Sequence, residues 1–292
     1  MKFSFWPGAA QSFDEFLDAA RHAEAGGWDG VYVADHFMPN NGTGPVLEAG
    51  AVVAALAALV PRVRIGTLVL GNTYRHPAVV ANMAATVDRI SGGRLVLGVG
   101  AGWQVNEHEQ YGITLPPVRE RLDRFEEAVQ VLRGLLTRQR FSFAGEHYTL
   151  TDATCEPKPV QSPLPILIGG GGEKRMLRIV ARHADEWNTW GTPETFEHKS
   201  AVLAEHCAAV GRDPSTIVRS AQAVVFLGTE PPEENRFPVI AGEPSRLVET
   251  LRRYEAAGLD EFIVPGFGLT ERDERRRWMD TFVEKVIQRL AE

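Results

Sequence analysis

The residues able to do chemistry in this chain are few, and most of them stand beside glycines. Asp35-His36 sets a carboxylate next to an imidazole. A histidine titrates near neutral pH, so His36 is a candidate to pass a proton. The plainer alternative is that Asp35 caps the next segment and His36 packs against it. Gly169-Gly170-Gly171-Gly172-Glu173-Lys174-Arg175 reads as strand, glycines, then the start of a helix. Backbone N–H groups and the helix dipole converge there on one point, which suits a phosphate, with Lys174 or Arg175 adding charge. The alternative is a tight turn, although four glycines exceed what a turn needs. Gly100-Ala101-Gly102-Trp103 joins open backbone to an indole and suits a flat ligand. Trp6, Trp103 and Trp190 are candidate walls of an apolar substrate pocket, whereas Trp187 reads as core. No Ser-His-Asp set, HExxH motif or dense cluster of metal ligands is present, so no metal is expected. An organic cofactor is then the expected carrier of the reaction.

These residues need strand ends to hold them. Apolar runs predict strands over 2–5, 30–33, 63–70, 95–99, 165–168, 186–190, 218–227 and 261–264. Helices are predicted between and after them. Ser12-Phe13-Asp14-Glu15 is a capping box, and Pro77 suits a first helical turn whose helix Gly92-Gly93 ends. Val80, Met83, Val87 and Ile90 recur at helical spacing, as do Leu122, Phe125, Val129, Leu132 and Leu136 over 119–137. Further helices are expected over 46–59, 173–184, 193–210, 244–257 and 271–290, with a Pro-rich polar loop over 230–242. Phe141, Phe143, Tyr148 and Leu150 flank Ala144-Gly145 as an inserted β-hairpin after the fourth helix. Eight strands alternating with helices predict an α/β protein, a (β/α)8 TIM barrel in a single domain over 1–292. The alternative is an open doubly wound sheet. In a barrel the site forms at the carboxyl ends of the strands, where Trp6, Asp35-His36, Gly100 to Trp103, Gly169 to Gly172, Trp190 and Pro265-Gly266-Phe267 fall. His76 is expected to start its helix, and His108, His147, His183 and His206 to be surface or packing residues.

The bulk composition agrees. The 292 residues carry a formal charge of −7, with 44% hydrophobic and 24% charged residues, as in globular proteins. The absence of a long basic run argues against nucleic acid as a partner. Residues 46–60 form the longest apolar stretch and include Glu48, which reads as a buried helix rather than a membrane span. The N-terminal ten residues do not read as a signal peptide. Two distant cysteines, Cys155 and Cys207, suit a reducing compartment, so the cytoplasm is the expected location.

Arg75-His76-Pro77 through Ser91-Gly92-Gly93-Arg94, then Gly98 to Trp103 and Asn106-Glu107, together resemble the luciferase-like monooxygenase superfamily. More narrowly they resemble its branch of oxidoreductases dependent on the deazaflavin coenzyme F420. Asp35-His36-Phe37-Met38-Pro39, the Gly169–Arg175 segment and Gly258 to Phe262 fit as well. The resemblance implies a cofactor across the strand ends. Asp35, Ala101, Gly102 and Asn106 would touch its ring and ribityl chain, and Gly170, Gly171 and Gly172 its phosphate. It also implies a cis bond at Leu68-Val69 against the ring. His36 matches the proton donor or base of the sugar-phosphate dehydrogenase members. Their second catalytic residue is a glutamate, and Trp103 stands in its place. That departure points to a less polar substrate.

Three functions follow from the resemblance. The first is hydride transfer between F420 and a small-molecule substrate. The second is an FMN-dependent monooxygenase, since both cofactors share a tricyclic ring, a ribityl chain and a phosphate. The third is a non-catalytic flavin-binding protein. A homodimer is a possible assembly by resemblance alone.

Overall fold

Parallel strands alternating with helices give this chain the (β/α)8 TIM-barrel fold, with an inserted hairpin, as the alternation predicts. The structure is a computed structural model and describes residues 1–8, 12–40 and 44–292. Contacts within the chain cluster into two compact units, 1–32 with 170–292, and 33–169.

In the first unit the strands run in the order Gly30–Val33, Lys2–Trp6, Glu261–Pro265, Val218–Gln222, Glu186–Trp190, all parallel. Helix Phe13–Ala25 begins at the capping box: Glu15 accepts the Ser12 N–H at 2.9 Å, and Ser12 caps the Glu15 N–H in return. Its Phe16, Ala19, Ala20 and Ala23 are buried, a helical stripe set by a spacing of three and four. Phe3, Trp28 and Phe282 add stacked and edge-on rings to this core.

In the second unit Leu95–Gly100 lies between Arg64–Thr67 and Ile166–Gly169. All six of its residues are buried, the signature of a strand covered on both faces. Helix Pro77–Ser91 opens at His76, whose Nδ1 accepts the Ala78 N–H at 3.2 Å, and closes at Gly92 in the left-handed region. The Arg94 guanidinium donates to the carbonyls of Ala57, Val60 and Val63 at 2.7–2.9 Å. It thereby satisfies the otherwise unpaired carboxyl end of helix Ala49–Leu59. The hairpin Phe141–Ala144 with Thr149–Ala153 is antiparallel, as predicted. Glu127, on helix Val118–Thr137, accepts the N–H groups of Glu146, His147 and Tyr148 at 2.7–3.0 Å and ties the hairpin turn to that helix.

Several local expectations are corrected. The third strand is not continuous over 63–70. It runs Arg64–Thr67, resumes as Leu70–Gly71, and the Leu68–Val69 peptide bond between them is cis. The run 218–227 is two strands, Val218–Gln222 and Val224–Leu227. The second of these pairs with Val239–Gly242, a strand inside the segment read as loop. Alternating short apolar and small residues there carried too weak a period to be seen. Helix Met176–His183 starts three residues later than expected, behind a turn. Helix Val105–Tyr111 was not foreseen, because its seven residues are mostly polar. The last helix, Arg272–Phe282, passes into a π-helical turn, Val283–Ile287. In helix Pro77–Ser91 the packed face is Val80, Ala81, Ala84, Ala85 and Val87, while Ile90 is exposed. Alanines carry close packing there that a count of large apolar residues overlooks.

Candidate active site

The second unit assembles one connected polar network at its strand ends. His36 follows the strand Gly30–Val33, and Glu107 lies in helix Val105–Tyr111, 71 residues later. His36 Nδ1 lies 2.9 Å from Glu107 Oε1. The Phe37 N–H donates to Glu107 Oε2 at 2.7 Å, and the Tyr74 hydroxyl donates to Oε1. The Glu107 side chain is fully buried. Burial opposes its ionisation, but the bonds from His36, Tyr74 and the Phe37 N–H outweigh that and hold its pKa below the ordinary carboxylate range. Burial and the neighbouring carboxylate push the Tyr74 pKa up, so the phenol stays protonated and donating. An ionised Glu107 can only accept, so His36 Nδ1 carries the proton. The other ring nitrogen, Nε2, then holds the lone pair of the neutral imidazole. His36 is 24% exposed at its side chain.

Asp35 is held otherwise. Its oxygens accept two bonds from Arg75, at 2.8 and 2.9 Å, and the Gly71 N–H at 2.9 Å. Arg75 also reaches Glu48, the N-cap of helix Ala49–Leu59. Asp35, expected to touch a cofactor, thus anchors the turn after Leu70–Gly71.

The glycines there are explained by packing. A Cβ on Gly98 would collide with the Thr67 carbonyl. A Cβ on Gly100 would meet Val69 Cγ2 at 2.8 Å, and one on Gly169 would meet Val69 Cγ1 at 2.9 Å. The backbone read as open at Gly100 is therefore covered by the Val69 side chain. Gly102 is different. Its φ of +85° disfavours any side chain, and a Cβ would lie 2.6 Å from Thr73 Oγ1. Thr73 in turn bonds His108 Nε2 at 2.7 Å, while His108 Nδ1 bonds the Gln104 carbonyl at 2.6 Å. His108 is the buried packing residue that the sequence suggested. Leu68 is buried, Ala101 half-buried. Asn106 donates from Nδ2 to the Pro39 carbonyl at 3.0 Å, and its buried Oδ1 has no partner among the described residues. Trp103 stands edge-on to His36, with ring centres 5.6 Å apart, and is 51% exposed. Beside the Tyr74–His76 turn lies a cleft of about 400 Å³.

In the first unit the Gly170 N–H donates to the Asn188 carbonyl at 2.9 Å, and the Gly170 carbonyl accepts from Trp187 Nε1 at 2.8 Å. Lys199, which sequence reasoning passed over, donates to the Gly171 carbonyl at 2.7 Å and to Glu173 at 3.1 Å. Only its place one helix later in the chain hinted at that role. Gly172 lies ahead of the turn, its carbonyl accepting from Leu177. Trp187 is fully buried, as expected of core. Trp6 and Trp190 meet at 6.1 Å between ring centres, and Phe237 and Phe267 complete the cluster at 4.5–6.1 Å. Phe267 falls at a strand end, as the sequence suggested, whereas Phe237 was missed because it sits alone in a loop. Trp6 Nε1 and Gln222 Oε1 are buried without partners among the described residues.

Among the described residues no group of three His, Cys, Asp or Glu could hold a metal ion, and no helix is long and apolar enough to cross a membrane.

Residues 1–237 match the family described as luciferase-like monooxygenase. The chain belongs to that family. It is 41% identical over 222 residues to an F420-dependent glucose-6-phosphate dehydrogenase of Kineococcus radiotolerans. That match covers 74% of this chain and 65% of the relative, just under two thirds of the relative's length. A protein of the same name from Amycolatopsis mediterranei is 29% identical, with 94% of each chain covered. Among solved structures, an F420-dependent secondary alcohol dehydrogenase in complex with an F420-acetone adduct superposes with a TM-score of 0.85 at 22% identity, covering 98% of both chains. That likeness supports the luciferase-like barrel fold.

Proposed function

We propose that this luciferase-like chain is an F420-dependent oxidoreductase that exchanges a hydride with a small organic substrate, with His36 moving the accompanying proton. The observation that carries the reading is the His36–Glu107 bond, which directs the imidazole's lone pair to Nε2. Names of relatives supply the cofactor. The residues present fit a deazaflavin: Asn106 Oδ1 is a buried acceptor with no donor among the described residues, suited to a ring N–H. Gly102 keeps the backbone bare beside it. Leu68, Val69 and Ala101 would give the ring an apolar backing, Asp35 would set that turn in place through Arg75, and Gly171 and Gly172 would seat a phosphate beside Gly170, whose own N–H is taken by the Asn188 carbonyl. Such a cofactor, when bound, supplies two-electron hydride exchange. The chain's own part is to take up a proton on the lone pair of His36 Nε2, fix that tautomer through Glu107, and exclude water with Trp103.

Trp103 favours an apolar substrate face, with Trp6 and Trp190 as further walls, and so a substrate other than a sugar phosphate. A sugar phosphate is the second reading, favoured by the names of the relatives. An FMN-dependent monooxygenase is the alternative favoured by the family's description. We place the protein in the cytoplasm as a single barrel domain.

Titration of the protein with F420 and with FMN, followed by ring fluorescence, tests the cofactor: tight F420 binding without FMN binding is expected, and the reverse overturns the reading. His36→Ala should lower kcat by about 10²–10⁴, the usual worth of general acid–base catalysis, and leave cofactor affinity unchanged. Normal turnover by that variant would end the proton-transfer role.

A further inference from the structure

We propose that the cleft of about 400 Å³ between the turn 72–76 and the start of helix Val118–Thr137 is an oxyanion subsite, built to take a phosphate or carboxylate group of an organic ligand. Arg75, Arg121, Arg124 and His76 line it with neutral Asn72, Thr114 and Tyr148, and no Asp or Glu does. In a chain of net charge −7, composition alone does not produce such a wall.

The three arginines differ. Arg75 is neutralised by Asp35 and Glu48. Arg124 shares Glu120 at 2.8 Å in a half-exposed pair, which screening by water makes weak. Among the described residues Arg121 has no carboxylate partner. Its Nη1 donates to the Gly102 carbonyl at 2.7 Å, and its Nε, shielded from solvent, has no acceptor. A shielded N–H on a charged group is costly to leave unpaired, and an oxyanion supplies both the acceptor and the countercharge. The neighbours are donors as well. His76 Nδ1 accepts the Ala78 N–H, so the neutral ring carries its proton on Nε2. The Tyr148 hydroxyl accepts from Asn72 Nδ2 at 3.2 Å and keeps its own proton to give. Burial pushes the Tyr148 pKa up, so that proton stays. Donors on a cationic wall that no carboxylate lines select an anion.

The inference deepens the proposed function, since the anion can belong to the cofactor's glutamyl carboxylates or to the substrate. Its first test does not depend on that function. Calorimetric titration of the full-length protein with inorganic phosphate should show saturable binding that weakens as chloride is raised. Arg121→Gln should weaken it about tenfold or more, the scale of one charge-assisted hydrogen bond, and Arg124→Gln by less. Arg124 is half-exposed, so its variant keeps the test usable if Arg121→Gln fails to fold. No phosphate binding by the native protein, or equal binding by both variants, overturns the subsite. Titration with F420 and with the same deazaflavin lacking phosphate and glutamates then identifies the source. If Arg121→Gln weakens F420 alone, the cofactor's anionic end sits here. If it weakens phosphate but neither deazaflavin, the anion is the substrate's. If the native protein binds neither deazaflavin, the hydride-transfer reading fails while the phosphate result still decides the subsite.

Discussion

Around His36 the carboxylate of Glu107 takes three donors and each partner is fixed by charge. Around Trp6 four aromatic rings meet, and the indole N–H is left without a partner. The first region sets protonation states: Glu107 is held ionised, Tyr74 protonated, and the His36 tautomer follows. The second contains no titratable side chain among its four rings, so it can select only shape, apolar area and a single acceptor. A chemistry-bearing region is therefore sensitive to charge, and a shape-bearing region to volume.

Glu107→Ala should break that contrast most. It removes the acceptor of three donors in a buried place and should cost about 3 kcal/mol in urea unfolding, from two or more charge-assisted bonds. Gly100→Ala should follow at about 2 kcal/mol, because its Cβ meets Val69 Cγ2. The double variant with Val69→Ala should recover most of that loss, and a purely additive double variant would show that Val69 is not what excludes a side chain at Gly100. Trp190→Ala removes a half-buried ring and should cost about 1 kcal/mol, below the range for fully buried aromatics. A larger loss than for Glu107→Ala would invert the comparison. The smallest effect is in acid. The folded pKa of Glu107 is depressed below the ordinary 4.5. Its contribution to stability is therefore complete above that value and is lost as pH falls through the folded pKa. Glu107→Gln should flatten the stability profile below pH 4.5, whereas Trp190→Ala should leave its slope as it was.

Much of the architecture was legible because it rests on local signals. The capping box at Ser12, Pro77 with Gly92, and the continuous apolar strand Leu95–Gly100 each declare themselves within a few residues. The barrel class follows from their alternation. The site was legible only in part. His36 and Trp103 were found as separate candidates, and the structure places their rings edge-on. Glu107 was noticed only as part of a family pattern, because a glutamate in a polar helix looks like a solvated one. Its burial depends on Phe37 and Tyr74, which approach from distant segments. Val69 over Gly100 and Gly169 was hidden for the same reason: the three lie in separate strand ends.

The sequence by itself determined where strands stop, which residues stand at those stops, and the family to which the chain belongs. Backbone propensity, caps and apolar periodicity are local properties, and a linear chain displays them. Only the tertiary structure decided which carboxylate serves His36, which one is spent on Arg75, and which arginine is left without a counterion. Those outcomes depend on distances between residues tens of positions apart and on the removal of water, neither of which a sequence contains.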